Sequence, residues 1–110
     1  MENFAGLNWL EVGGRLVSYV KLEEVLCRIV YDPILAKIGL YFQVACEINH
    51  KLVLETTNKI ISYGALLGLL DGKLFLVKSV DNLEQAVRSL LYASFAVLEG
   101  LEQNQPRCLG

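Results

Sequence analysis

YGALLGLLDGKLFLVKSV, the stretch from Tyr63 to Val80, carries only three charged residues, Asp71, Lys73 and Lys78. Asp71-Gly72 suits a two-residue β-hairpin turn, because both positions tolerate the positive φ that such turns require. The stretch therefore reads as two antiparallel strands, with Leu70 opposite Lys73 and the pairing running outward from there. One face carries Leu69/Leu74, Leu67/Leu76 and Ala65/Lys78. The other carries Leu70/Lys73, Gly68/Phe75 and Leu66/Val77, with Phe75 over the gap left by Gly68. A sheet with one wet face alternates apolar and polar residues. Here both faces are apolar, so the second face needs a cover, either a helix of the same chain or another polypeptide.

The bulk composition bounds the rest. A chain of 110 residues suits one domain, residues 1–110, with a single core. It is 54% hydrophobic with a mean hydropathy of +0.41, rich for a globule with so much surface per unit volume. Part of that apolar surface is expected in an interface. The longest uncharged apolar run, Ile60 to Leu70, falls short of the roughly 20 residues a spanning helix needs. The start, MENFAGLNWLEVGG, lacks the basic and apolar regions of a signal peptide. The expectation is a cytoplasmic protein with no membrane insertion. Net charge is −2, and the ten Lys and Arg residues are scattered singly. Nucleic acid is not expected as a partner, because it is bound by clustered cations.

Outward from the hairpin, DNLEQAVRSLLYASFAVLEGLEQ sets Leu83, Ala86, Val87, Leu90, Leu91, Ser94, Val97, Leu98 and Leu101 on one helical stripe. Asp81 is the expected cap, with Glu84 as its capping-box partner. Tyr92, Phe95 and Ala96 widen the stripe, as if the helix touched two layers. Before the hairpin, NHKLVLETTNKIIS reads as a helix capped by Asn49. IGLYFQVACEI alternates as a strand, and RLVSYVKL and VLCRIVYD read as two more, although KLEEVLCRIVY also fits a helical period. ENFAGLNWLEV reads as a short helix closed by Gly13-Gly14. The order is α-βββ-α-ββ-α, an α+β domain with helices packed against an antiparallel sheet.

Little in the chain suggests catalysis. The single histidine, His50, sits in a capping region. Glu23-Glu24 and the scattered Asp residues match no metal-ligand pattern, and Gly13-Gly14 has no following Lys-Ser/Thr to make a phosphate loop. Cys27, Cys46 and Cys108 form no Cys-x-x-Cys, so neither a disulfide framework nor a zinc site is indicated. Cys27 and Cys46 read as small buried hydrophobes, and Cys108 as a tail thiol open to oxidation. No enzyme, metal or cofactor is expected.

Asn58 late in LETTNKIISYG, the Gly-led strand GALLGLL, the Asp-Gly turn, KLFLVKSV and the amphipathic helix that follows together resemble a known family. It is the class I chaperones of bacterial type III secretion, the Tir-chaperone type, and more distantly the YbjN-like proteins that share their fold. Thr57 stands where a Leu commonly precedes the Asn. The resemblance implies a dimer, with itself or a paralogue, that holds an extended segment of a secreted effector. It puts Val53, Leu54, Thr57 and Ile61 of the second helix in the dimer seam with Leu66, Leu70, Phe75 and Val77.

For client binding, RLVSYVKL is expected at or near a sheet edge, open to strand addition. Phe4, Trp9, Val17 and Tyr19 would then be available to an extended peptide, unless Phe4 and Trp9 merely plug the core. The other reading is a homodimeric regulatory or scaffold adaptor, YbjN-like or roadblock-like, that binds folded partners.

Overall fold

The computed structural model describes the backbone of residues 2–4 and the whole of residues 6–109. Seven strands form one antiparallel sheet: β1 (Glu2–Phe4), β2 (Leu7–Val12), β3 (Arg15–Leu22), β4 (Val25–Asp32), β5 (Lys37–Gln43), β6 (Ala65–Leu70) and β7 (Lys73–Ser79). Two helices, α1 (His50–Ile60) and α2 (Leu83–Asn104), complete the α+β domain. The spatial order β1-β2-β3-β4-β5-β7-β6 is a meander of five strands with the last hairpin docked on β5. Residues 15–32 are strands, not the rival helix.

The hairpin has the register expected from its turn: Leu70 faces Lys73, Gly68 faces Phe75 and Leu66 faces Val77. The expected N-terminal helix is absent. Its residues form β1 and β2, and Gly13-Gly14 turns the chain so that Leu10 pairs with Val17. Leu7 and Trp9 face the core and Leu10 and Val12 the other side, so an apolar strand with two apolar faces had looked like a helix.

Tight turns with two positive-φ residues join three of the hairpins. Gly13-Gly14 and Asp71-Gly72 suit them, but the β3–β4 turn is Glu23-Glu24, with φ of 47° and 72°. Glutamate has a Cβ that crowds the left-handed region, so this turn is strained. The Lys21–Glu24 ion pair at 3.2 Å is exposed and offsets little of that. At the β4–β5 turn, Asp32 accepts from the backbone N–H groups of Ile34 and Leu35 at 3.0 and 3.2 Å and pairs with Arg15. The Leu35 N–H foremost, then Ile34 and Arg15, hold the Asp32 carboxyl below its ordinary range. Its contribution is present at neutral pH and is lost as acid protonates it.

Both helices lie on one face of the sheet. α2 buries Ala86, Val87, Leu90, Ala93, Ser94, Val97, Leu98 and Leu101 in one core with Trp9, Cys27, Ile29, Leu40, Phe42, Leu74 and Leu76. Tyr92 and Phe95 stay exposed, so α2 touches one layer rather than two. Its cap is Asn82, which accepts from Gln85, one position beyond the expected Asp81. α1 is capped by Asn49 as expected and crosses α2 at Gly100. A Cβ at Gly100 would lie 3.0 Å from Thr56 Oγ1 and 3.3 Å from Leu52 Cδ1, which fixes how closely the helices approach.

β5 ends at Gln43, short of the expected Ile48. The Gln105 side chain takes over the backbone there: its amide N–H donates to Glu47 O at 3.0 Å and its oxygen accepts from Asn49 N at 3.2 Å. Cys46 lies in this connection rather than in a strand, and it is disulfide-bonded to Cys108, with Cα atoms 5.2 Å apart. This overturns the expectation of Cys46 as a buried hydrophobe and Cys108 as a tail thiol. Sixty-two residues separate them, so no local spacing announced the pair. Cys27 is the buried thiol, and burial pushes it up to about 12.

The strained turn yields a direct test. Replacing Glu23-Glu24 by Asn-Gly should stabilise the domain by about 1 kcal/mol, raising the melting temperature by about 4 °C in calorimetry.

Candidate functional site

With the helices on one face, nothing among the described residues covers the other face of the sheet. Strand register sets Leu10, Val17, Val30, Gly39, Val77 and Leu66 in one continuous row over six strands. At about 4.8 Å per strand this apolar row runs roughly 24 Å. Next to it lies an aromatic row, with Tyr19 opposite Arg28, Arg28 opposite Tyr41, Tyr41 opposite Phe75 and Phe75 opposite Gly68. Leu10, Tyr19, Leu66 and Leu70 are 55%, 63%, 62% and 63% exposed. Isolated exposed apolar residues are ordinary on a protein surface, but here they share one face of the sheet.

The aromatic row is built by close approach. Phe75 lies directly over Gly68, where a Cβ would collide with three ring carbons. Tyr41 leans over Gly39, and its ring stacks with Phe75 at a centroid distance of 5.8 Å and 25° between planes. The Arg28 guanidinium sits 5.0 Å above the Tyr41 centroid on the opposite side. Between these groups and the hairpin tip is a recess of about 320 Å³, walled by Tyr41, Phe75, Leu70 and Gln43 and rimmed by Arg28, Lys73 and Asp71. Arg28 takes part in none of the ion pairs among the described residues.

The expected seam residues do not form one surface. Leu66, Leu70, Phe75 and Val77 are on the open sheet face. Val53, Leu54, Thr57 and Ile61 belong to α1 and its end, on the helical side. Leu54 and Ile61 are exposed there, whereas Val53 packs against the core and Thr57 Oγ1 donates to Val53 O at 2.6 Å. The two groups approach each other only around β6, the outermost strand, which packs against α1.

The expected client residues also divide. Strand β3 is third in the sheet, not at an edge, because β1 and β2 pair beyond it. Val17 and Tyr19 nevertheless face outward on the open face. Trp9 is fully buried and plugs the core, so it is not available to a peptide. The Phe4 side chain lies outside the described residues.

Sequence reasoning missed Leu10, Arg28, Val30 and Tyr41. The strand patterns of IGLYFQV and VLCRIVYD put Tyr41 and Arg28 on alternating positions, but only the pairing of β7 with β5 sets Tyr41 beside Phe75. His50 is exposed at the start of α1. Among the described residues no three His, Cys, Asp or Glu side chains are grouped to hold a metal ion. No helix there is long and apolar enough to cross a membrane.

No family model matches the chain, and neither do any curated proteins or solved structures.

Gly68→Ala should drive the Phe75 ring off its strand, costing about 1–3 kcal/mol. Chemical denaturation should show that loss, and the Tyr41 ring resonances should move because the stacked partner has gone.

Proposed function

We propose that this chain is a non-catalytic binding protein of the chaperone kind. Two copies join along the β6 edge, and the open sheet face of each holds an extended segment of another polypeptide. The resemblance to type III secretion chaperones makes that segment part of a secreted effector in a bacterial cytoplasm. In that reducing compartment the Cys46–Cys108 bond would be open to reduction to two thiols.

The observation that carries the reading is the apolar row that crosses six strands on the sheet face opposite the helices. The choice of β6 for the seam rests on edge chemistry. Edge strands offer unpaired N–H and C=O groups, and proteins shield them by shortness, charge or proline. β1, at the other edge, is three residues long. β6 is six residues, Ala-Leu-Leu-Gly-Leu-Leu, without charge or proline. Pairing β6 with its twin would satisfy those groups and bring Leu66 and Leu70 of both copies together. α1, with exposed Leu54 and Ile61, stands beside the same edge. That arrangement uses the seam residues from both sides of the sheet and leaves Val17, Tyr19 and Tyr41 free for a client.

An adaptor that binds folded partners is the second reading. It is favoured by a separate patch on the helical side, where Tyr63 stacks on Tyr92 at 6.3 Å and Phe95 is exposed one turn further on. A chaperone binds unfolded segments through the sheet face, whereas an adaptor would bind a folded protein through this patch.

Light scattering at high micromolar concentration should give a dimer for the native chain. Leu66→Lys with Leu70→Lys should give a folded monomer, since both side chains are exposed in the single chain. A native monomer, or a double variant that still dimerises, contradicts the seam.

A further inference from the structure

We infer that the recess beside Arg28 is a carboxylate seat: the segment bound on the open face presents an Asp or Glu side chain there, flanked by apolar residues. The inference rests on the open face being the client surface and specifies the chemistry of the client.

Four features carry it. Arg28 projects from the middle strand β4 into the aromatic row, beside the apolar row of Leu and Val. Its guanidinium is stacked 5.0 Å over Tyr41, and Tyr19 stands directly opposite it on β3. Stacking holds the flat guanidinium by its face and leaves its N–H edge free. That edge matches a carboxylate through two parallel hydrogen bonds, among the stronger contacts available to a protein surface.

Second, Arg28 has no acidic partner among the described residues, although Asp32 is taken by Arg15 and Glu24 by Lys21 on the neighbouring turns. Third, the recess adds Lys73 at its rim against the single carboxylate of Asp71, so the local balance is positive. The chain as a whole is negative, at −2, which makes this positive spot a local feature rather than a general one. Fourth, the walls are Tyr41, Phe75 and Leu70, and a volume of about 320 Å³ admits a side chain.

An acidic residue between apolar neighbours fits all of these. A cationic or purely apolar residue would leave Arg28 covered and unpaired, which is unfavourable once water is excluded. A nucleic acid would use the aromatic row and Arg28, but the adjoining row of Leu and Val offers it nothing.

The probes are three fluorescein-labelled peptides of about twelve Ser, Val and Leu residues, long enough to cross the sheet. They differ only in a central Glu, Gln or Lys. Fluorescence polarisation should show the Glu peptide binding the native dimer about tenfold more tightly than the Gln peptide, with the Lys peptide weaker still. Arg28→Leu should bind the Gln peptide at least as well as the native chain does and lose the preference for Glu. Arg28→Lys should keep part of it. Circular dichroism should show both variants folded, because Arg28 is exposed.

Equal binding of all three peptides to the native chain overturns the carboxylate seat and leaves the client face standing. A Glu preference that survives in Arg28→Leu overturns it too. Binding of none of the peptides overturns the client face, and the seat with it. Tighter binding of a single-stranded oligothymidine that displaces the Glu peptide identifies the partner as nucleic acid and overturns both.

Discussion

The packing of α2 against a single face of the sheet is the constraint on which the rest of the molecule depends. One helix of 22 residues supplies most of the helical half of the core. Crossed by α1 at Gly100, it leaves no further helix for the opposite side. The sheet is therefore wetted on one face by construction, while an apolar row crosses that face over six strands. Water penalises that mismatch in proportion to the apolar area exposed. The open face, the uncharged β6 edge and the stacked Arg28 all follow from this one-sided arrangement.

The same arrangement explains what could be read from the chain. The last hairpin was legible down to its register because Asp71-Gly72 fixes a two-residue turn, and register follows from turn length. α1 and α2 were legible because each buries a single stripe. β3 and β4 were read as strands from their β-branched content, although their Glu23-Glu24 turn carries no turn signature. β2 was misread, and the cause is physical. Leu7 and Trp9 face the core while Leu10 and Val12 face the open side, so alternation, the ordinary mark of a strand, is erased. Only long-range pairing with β3 decides the matter, and that pairing is invisible in a local window.

The candidate site was half legible. Leu66, Leu70, Phe75 and Val77 emerged from the hairpin alone, as did the seating of Phe75 on Gly68. Arg28 and Tyr41 did not, because their relation to Phe75 spans three strands and needs the docking of β7 on β5 to be known. The expectation of β3 at or near an edge fails at the edge itself for the same reason that β2 is misread: a helix was expected where two further strands extend the sheet. The Cys46–Cys108 pair and the Gln105 bridge to residues 47 and 49 join parts of the chain that no motif connects.

The central claim is that the face bearing Val17, Val30, Val77 and Leu66 is free of this chain's own cover. Methyl-detected NMR with a soluble nitroxide measures it directly. Relaxation of the Val17, Val30, Val77 and Leu66 methyls should be strongly enhanced in the isolated protein, while Ile29, Leu40 and Leu76 methyls on the helical face stay protected. Because the proposed seam runs along the β6 edge, Val17 and Val30 should remain accessible in the dimer as well. Protection of Val17 and Val30 equal to that of Ile29 and Leu40, in dilute protein without a partner, would contradict the account.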